Sequence, residues 1–260
     1  MNAPIAQGLP LVIVLVVLVV VAAVTVGVGQ LGRAWPVVVA AGRAAGQLAA
    51  VSLVILAVLD SVWWAALFLA VMVAVATVTS AGRVASVRTA WRVVVPIVAG
   101  VVPVVALLLG SGVVAARPVV LVPVGGILVG GAMTATSLAG RRALDELHTR
   151  RGEYEAALAL GFLPRSAAIL ICRPTAGTAL VPGMDQTRTV GLVTLPGAFV
   201  GVLLGGGSPV QAGLTQLVVL ISLLAVQAIA VLVSVELVAT GSITAPRPAA
   251  AVGDLRHTWS

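Results

Sequence analysis

The chain has 260 residues, of which 60% are hydrophobic and only 9% charged, whereas a soluble domain carries roughly a quarter charged residues, so an ordinary water-soluble fold is excluded. Apolar runs of about 18 residues or more recur, the length a helix needs to cross a ~30 Å hydrocarbon core, and the roughly ten-residue alternation of a membrane β-barrel is absent. The net charge of +7 comes from arginines placed between the apolar runs, so it reports membrane topology and gives no reason to expect nucleic acid as a partner.

The expected fold is all-α, a polytopic membrane protein of about seven transmembrane helices embedded in the lipid bilayer. Leu9–Val28 is the first span; no basic residue precedes it, and it is too long for a signal-peptide core, so it reads as a retained helix. The second span, Val37–Leu59, carries Arg43 and Gln47 four residues apart on one face. Arg43 can snorkel to the surface, whereas Gln47 sits deeper and needs a polar partner, either in interhelical packing or along a transport path. Val62–Ser80 and the short Val93–Leu109, with Pro96 and Pro103 as candidate kinks, are spans three and four. Val119–Ala139 is the fifth, and Met133, Thr134, Thr136 and Ser137 lie near its end. A thioether and hydroxyls there either pack or touch a passing cargo.

Residues 141–182 form the largest interval assigned outside the membrane. The mixed-charge stretch Arg141–Glu155 can continue span five as a helix, with Glu146 and Arg150 spaced for an i,i+4 ion pair worth roughly 0.2–0.5 kcal/mol. Gly161 supplies a turn, and Pro164 fits the first turn of a new short helix, where a missing N–H costs little. The sixth span is expected at Thr189–Gly206, opened by Asp185 and Arg188 as a helix cap and a snorkelling anchor, or as a gate near the cytoplasmic mouth. Pro196 is a candidate break in it. Val210–Ala239 is the seventh span; residues 1–240 then make one transmembrane domain, and the Pro- and Ala-rich 241–260 a flexible tail. Gly126/Gly130 and Gly197/Gly201/Gly205 have the small-x₃-small spacing of close helix packing.

Arginine distribution orients these spans. Counting alternate connections, only Arg117 falls on the side opposite the other arginines. The arginine-rich side is the cytoplasm by the positive-inside rule, which puts the N-terminus outside, the C-terminus inside and the 141–182 interval in the cytoplasm.

One pattern in that interval carries a functional reading. Glu155-Ala156-Ala157, Gly161, Ile171 and Pro174 have the spacing E-A-A-x₃-G-x₉-I-x₂-P. Small residues allow close packing, the glycine permits a turn that a side chain would obstruct, and the result is a helix–turn–helix able to present a short helix to a partner's cleft. The plain alternative is an Ala-rich amphipathic loop. The sequence contains no Lys, so it has no phosphate-binding Gly-Lys-Ser/Thr loop, and any energy from ATP has to come through another subunit. Cys172 is the only cysteine, and His148 and His257 have no metal-ligand spacing with it or with each other. A tight structural metal site is not expected, and metal-binding residues are unassigned.

The resemblance widens from there. Ala159-Leu-Gly-Phe-Leu-Pro-Arg-Ser-Ala167, Asp185-Gln-Thr-Arg-Thr-Val-Gly-Leu-Val-Thr-Leu-Pro-Gly197 and Gly201, with Gly42-Arg43-Ala44, Gln47-Leu48 and Gly131-Ala132-Met133-Thr134 upstream, make the chain similar to the FetB/YbbM-type ABC permease family. Its plant members are aluminium-sensitivity and aluminium-tolerance membrane proteins. The resemblance runs from about Arg43 to Ala239. It implies a permease without enzymatic activity or a cofactor of its own, working in the bacterial plasma (inner) membrane. A permease homodimer would pair with a cognate ATPase subunit that binds the ATP. It also implies iron or other metal export, or, by analogy with the plant members, transport of a nucleotide sugar. Coupling then falls to Glu155, Ala156, Ala157, Gly161 and Pro164, and the path or gate to Arg43, Gln47, Met133, Thr134, Asp185 and Arg188. Where many relatives have Asn ahead of the Ala/Ser-Met of span five, this chain has Gly131, a departure that bears on cargo preference if that Asn touches cargo.

Two other classes lack their signatures in this sequence. A secondary transporter or channel calls for an inverted repeat or a buried carboxylate relay, yet Asp60 and Glu236 fall near span ends. An intramembrane enzyme calls for a convergent catalytic set, and none is visible.

Overall fold

Backbone amides in lipid have no water to bond, and this chain satisfies them inside helices. The computed structural model describes residues 8–86 and 88–244; among them the only β-type pairing is one isolated bridge between Val190 and Thr194. The expected tail beyond Thr244, with His257, lies outside the described residues.

The described chain divides at Asp60 into two units. The first holds α1, Leu9–Val28, and α2, Trp35–Asp60, which pack against each other. Branched apolar side chains cover α1 on every side, and none of its residues is buried, as expected of a helix whose solvent is lipid.

The second unit begins at Ser61, whose side chain accepts from the Trp63 amide and caps α3, Val62–Val84. A 3₁₀ turn at Ala90–Val93 leads into α4, Val94–Gly110. Then come α5, Pro118–Thr149, and the short α6, Arg151–Ala159. α7, Pro164–Gly177, passes through a 3₁₀ turn at Thr178–Leu180 into α8, Val181–Thr189. α9, Gly197–Leu204, and α10, Pro209–Ala239, complete it; Ser208 and Gln211 close a reciprocal capping box at the start of α10.

α5 and α10 form the centre, with α3, α4 and α7 packed on them. Small residues set the spacing: Ala132, Ala135, Ala139 and Ala143 of α5 are all buried in the core. An added Cβ on Gly100 of α4 would lie 2.7 Å from the Val226 carbonyl oxygen of α10, and one on Gly140 of α5 would lie 2.5 Å from Val84 Cγ1 of α3. Ser137 donates to Ser80 Oγ at 3.0 Å and Ser80 donates to the Met133 carbonyl at 3.2 Å, a buried polar seam between α3 and α5.

Seven helical segments are long and apolar enough to cross a membrane, matching the expected number. The sixth is a different stretch from the one expected: it is Pro164–Thr189, formed by α7, the 3₁₀ turn and α8. The Thr189–Gly206 run is not a continuous helix. Gly191 has φ +83, and a turn spans residues 191–193. Pro196 starts the eight-residue α9, which at 1.5 Å per residue extends about 12 Å, far short of a crossing. The Gly-x₃-Gly expectation holds at one position: an added Cβ on Gly126 would lie 2.9 Å from Met72 Cε, whereas Gly130, Gly197 and Gly201 meet nothing within 4 Å, and the other close approaches use Gly100, Gly125, Gly131, Gly140 and Gly183.

Candidate functional site

At one end of the second unit, charged residues converge. α5 stops at Thr149, and Arg150 leaves helical geometry with φ −102 and ψ 33 before α6 begins. The Arg150 guanidinium clasps both helices: Nη1 donates to Glu146 Oε1 at 3.3 Å, Nε donates to Glu153 Oε1 at 2.7 Å, and a second bond runs to Glu153 Oε2. The expected Glu146–Arg150 pair is therefore present, extended to a third residue. Hydrogen bonding from Arg150 holds the Glu153 carboxyl below the usual carboxylate range.

α6 contains the Glu-Ala-Ala triplet. Glu155 is exposed and accepts from Arg151 Nε at 2.8 Å, Ala156 is exposed, and Ala157 is buried at 8%. Only the second alanine packs inward. Gly161 then turns the chain at φ +90, a conformation costly for a residue with a Cβ. The Gly161 amide donates to the Leu158 carbonyl at 2.9 Å and the Phe162 amide to the Ala157 carbonyl at 3.1 Å, which closes the end of α6. Pro164 opens α7 at its first turn. Of the remaining pattern positions, Ile171 is buried and Pro174 lies exposed inside α7. The 141–182 interval, expected as one element outside the membrane, is thus split: residues 141–163 hold the end of α5, α6 and the turn, and 164–182 belong to the sixth candidate span. A groove of about 600 Å³ lies beside α6, lined by Tyr154, Glu155, Leu158, Pro164, Ala168 and Thr240 among others.

The same end carries an ion pair that sequence reading passed over. Glu236, near the end of α10, accepts from Arg165 Nε at 2.9 Å and from Arg165 Nη2 at 2.7 Å, and Arg173 Nη2 lies 3.8 Å from its other oxygen. A carboxylate in the last turn of a long apolar helix was the available signal. The segment after α10 is tied down nearby: the Ser86 amide donates to the Thr244 carbonyl at 2.9 Å, Arg92 Nη1 donates to the Ser242 carbonyl at 2.9 Å, and Ile243 is buried.

The candidate path residues separate into groups. Arg43 and Gln47 are exposed on α2 in the first unit. Met133 packs against the core of the second unit, and the exposed Thr134 hydroxyl donates back to the Gly130 carbonyl at 3.0 Å. Asp185 and Arg188 do not open the sixth span but lie in its final helix, exposed and paired at 3.7 Å. The expected N-terminal cap at Asp185 therefore has no helix start to cap, since α8 begins at Val181. α5 and α8 meet at a residue outside the candidate set, Gln227 of α10. A Cβ on Gly183 would lie 2.0 Å from Gln227 Oε1, and one on Gly131 would lie 3.5 Å from Gln227 Nε2. Gly183 thus makes room for the carboxamide, while Gly131 makes room chiefly for Leu223, whose Cδ1 would lie 2.1 Å from an added Cβ. Gln227 Oε1 is buried without a hydrogen-bond partner, as is Thr136 Oγ1; each such group costs about 1–3 kcal/mol. The sequence signal was a lone amide in the apolar middle of the last span. Among the described residues no three His, Cys, Asp or Glu side chains cluster as a metal site.

Comparison with known proteins fits this architecture. The model of the Uncharacterised protein family UPF0014 matches residues 9–242. The rice UPF0014 membrane protein STAR2 is 34% identical over 80% of this chain and 74% of its own length. Protein ALUMINUM SENSITIVE 3 of Arabidopsis thaliana is 39% identical over 40% of this chain and 38% of its own. The Probable iron export permease protein FetB of Escherichia coli is 30% identical over 50% of each. No solved structure matches. With a family model covering nearly all of its described residues, the chain belongs to the UPF0014 family of multi-pass membrane proteins.

Proposed function

We propose that the chain is the permease subunit of an ABC transporter, that two copies form the pathway in a bacterial plasma membrane, and that its cargo is exported iron or a similar metal. The observation that carries this is the helix–turn–helix from α6 to α7. A short helix is held by a positive-φ glycine turn at the arginine-rich end of the bundle, with Glu155 exposed on it and Ala157 packed beneath it. Such an element is small enough to enter a cleft and is continuous with a membrane-length helix, so force applied to α6 reaches the bundle. The positive-inside rule supports a cytoplasmic position for it, where an ATPase subunit would work. The name of the Escherichia coli relative supports iron export. Gln227, with Asp185 and Arg188 on the neighbouring α8, supplies polar groups for the path, and cargo would be held in transit by oxygen ligands.

Co-purification tests the docking assignment. Glu155→Arg reverses the exposed charge, and Gly161→Arg places a side chain on a backbone that disfavours one. Both variants should insert into the membrane and lose the cognate ATPase from the purified complex. Full retention of the ATPase by both would refute the assignment.

A further inference from the structure

We infer that Glu236 is a positioning residue that ties the last membrane helix to the docking turn, so that α7 and α10 move together when the ATPase moves α6. The inference rests on the docking role proposed for α6. Arg165 is the second residue of α7, directly after the turn that closes α6. Both of its donating nitrogens converge on Glu236 Oε2, at 2.9 and 2.7 Å, and Arg173, two helical turns further along α7, flanks the other oxygen at 3.8 Å. One carboxylate of α10 is thereby held by two arginines of α7. Arg165 is 55% exposed and Glu236 30%, and pairs this exposed add little to stability. A stabilising role is thus a weak reason for the cluster, while its location is mechanically apt. It joins the first turn of the helix leaving the docking turn to the last turn of the helix that carries Gln227. Deeper in the bundle, α8 meets α10 where Gly183 abuts Gln227. A shift of α7 transmitted through Arg165 to α10 therefore reaches the Gln227 carboxamide proposed to serve the path.

The test uses the full permease assembled with its cognate ATPase in lipid nanodiscs, in a Cys172→Ala background. A fluorophore is attached at Leu160→Cys on the docking turn or, in a separate sample, at Thr240→Cys just past α10; both positions are exposed. Emission is read on adding ATP with vanadate. Without further substitution, both probes should respond. With Glu236→Gln, and independently with Arg165→Gln, the ATPase should stay bound and the Leu160 probe should still respond, while the Thr240 response is lost. Arg165→Gln leaves α10 itself unaltered and carries the test if Glu236→Gln does not fold. An undiminished Thr240 response in these variants would overturn the inference. If the Leu160 probe stays silent in the protein with Glu236 and Arg165 intact, the docking reading has failed, and the inference fails with it.

Discussion

Single atoms decide how closely these helices approach. Gly100 lets α4 sit against the Val226 carbonyl of α10, and a methyl there would meet backbone at 2.7 Å. Backbone in a packed helix cannot rotate aside, so the two helices must separate. Gly130, in the middle of α5, meets nothing within 4 Å, and alanine there gains roughly 0.8–1 kcal/mol of helix propensity. Gly100→Ala should therefore destabilise the protein by about 1–3 kcal/mol, the usual cost of overpacking. Gly130→Ala should leave its stability unchanged or slightly raised. Thermal unfolding of the two variants in one detergent checks the contrast; equal melting temperatures would refute it. Spacing alone could not rank these positions, because Gly130 belongs to a Gly-x₃-Gly pair and Gly100 does not. What separates them is the neighbouring helix, which no local pattern names.

Helix α7–α8 is the element whose placement changes the reading of the site most. If Pro164–Thr189 crosses the membrane, Gln186 and Leu160 lie toward opposite faces; if Thr189–Gly206 crosses, both lie on one face. Both side chains are exposed. In the Cys172→Ala background, Gln186→Cys should react with a membrane-impermeant thiol reagent from the side opposite to the one that labels Leu160→Cys. Labelling of both from one side would restore the Thr189–Gly206 span. The other six spans were legible because each is a nearly uninterrupted apolar run, and lipid imposes that run on whatever crosses it. The α6–α7 turn was legible because Gly161 and Pro164 act through backbone rules that need no partner. The sixth span was not, since Arg165, Arg173, Asp185 and Arg188 break its apolar pattern and packing against α5 and α10 shields its opposite face. The more apolar run after Thr189 was misleading for the complementary reason: Gly191 and Pro196 interrupt the helix that its composition promises. Gln227 and Glu236 were readable as polar residues in an apolar helix, but the arginines of α7 that pair with Glu236 and the Gly183 of α8 that abuts Gln227 became visible only in three dimensions.

On the scale of the whole molecule, the pump reading divides energy from pathway between two chains. The sequence has no Lys, so the nucleotide loop that cradles phosphate through a lysine must belong to the ATPase. That division leads to one expectation for inverted vesicles, in which export appears as accumulation. Vesicles holding permease and ATPase together should accumulate iron(II) when ATP is added outside, and vesicles holding the permease alone should not. UDP-glucose offered in place of iron should stay outside. Accumulation of the sugar instead of iron would keep the pump and change its cargo, whereas iron flux that persists without ATPase or ATP would point to a secondary carrier. Because α6 and its turn are the proposed route by which the ATPase acts, Glu155→Arg vesicles should behave like those lacking the ATPase. A Glu155→Arg permease that still accumulated iron on ATP addition would mean that the force enters the bundle elsewhere.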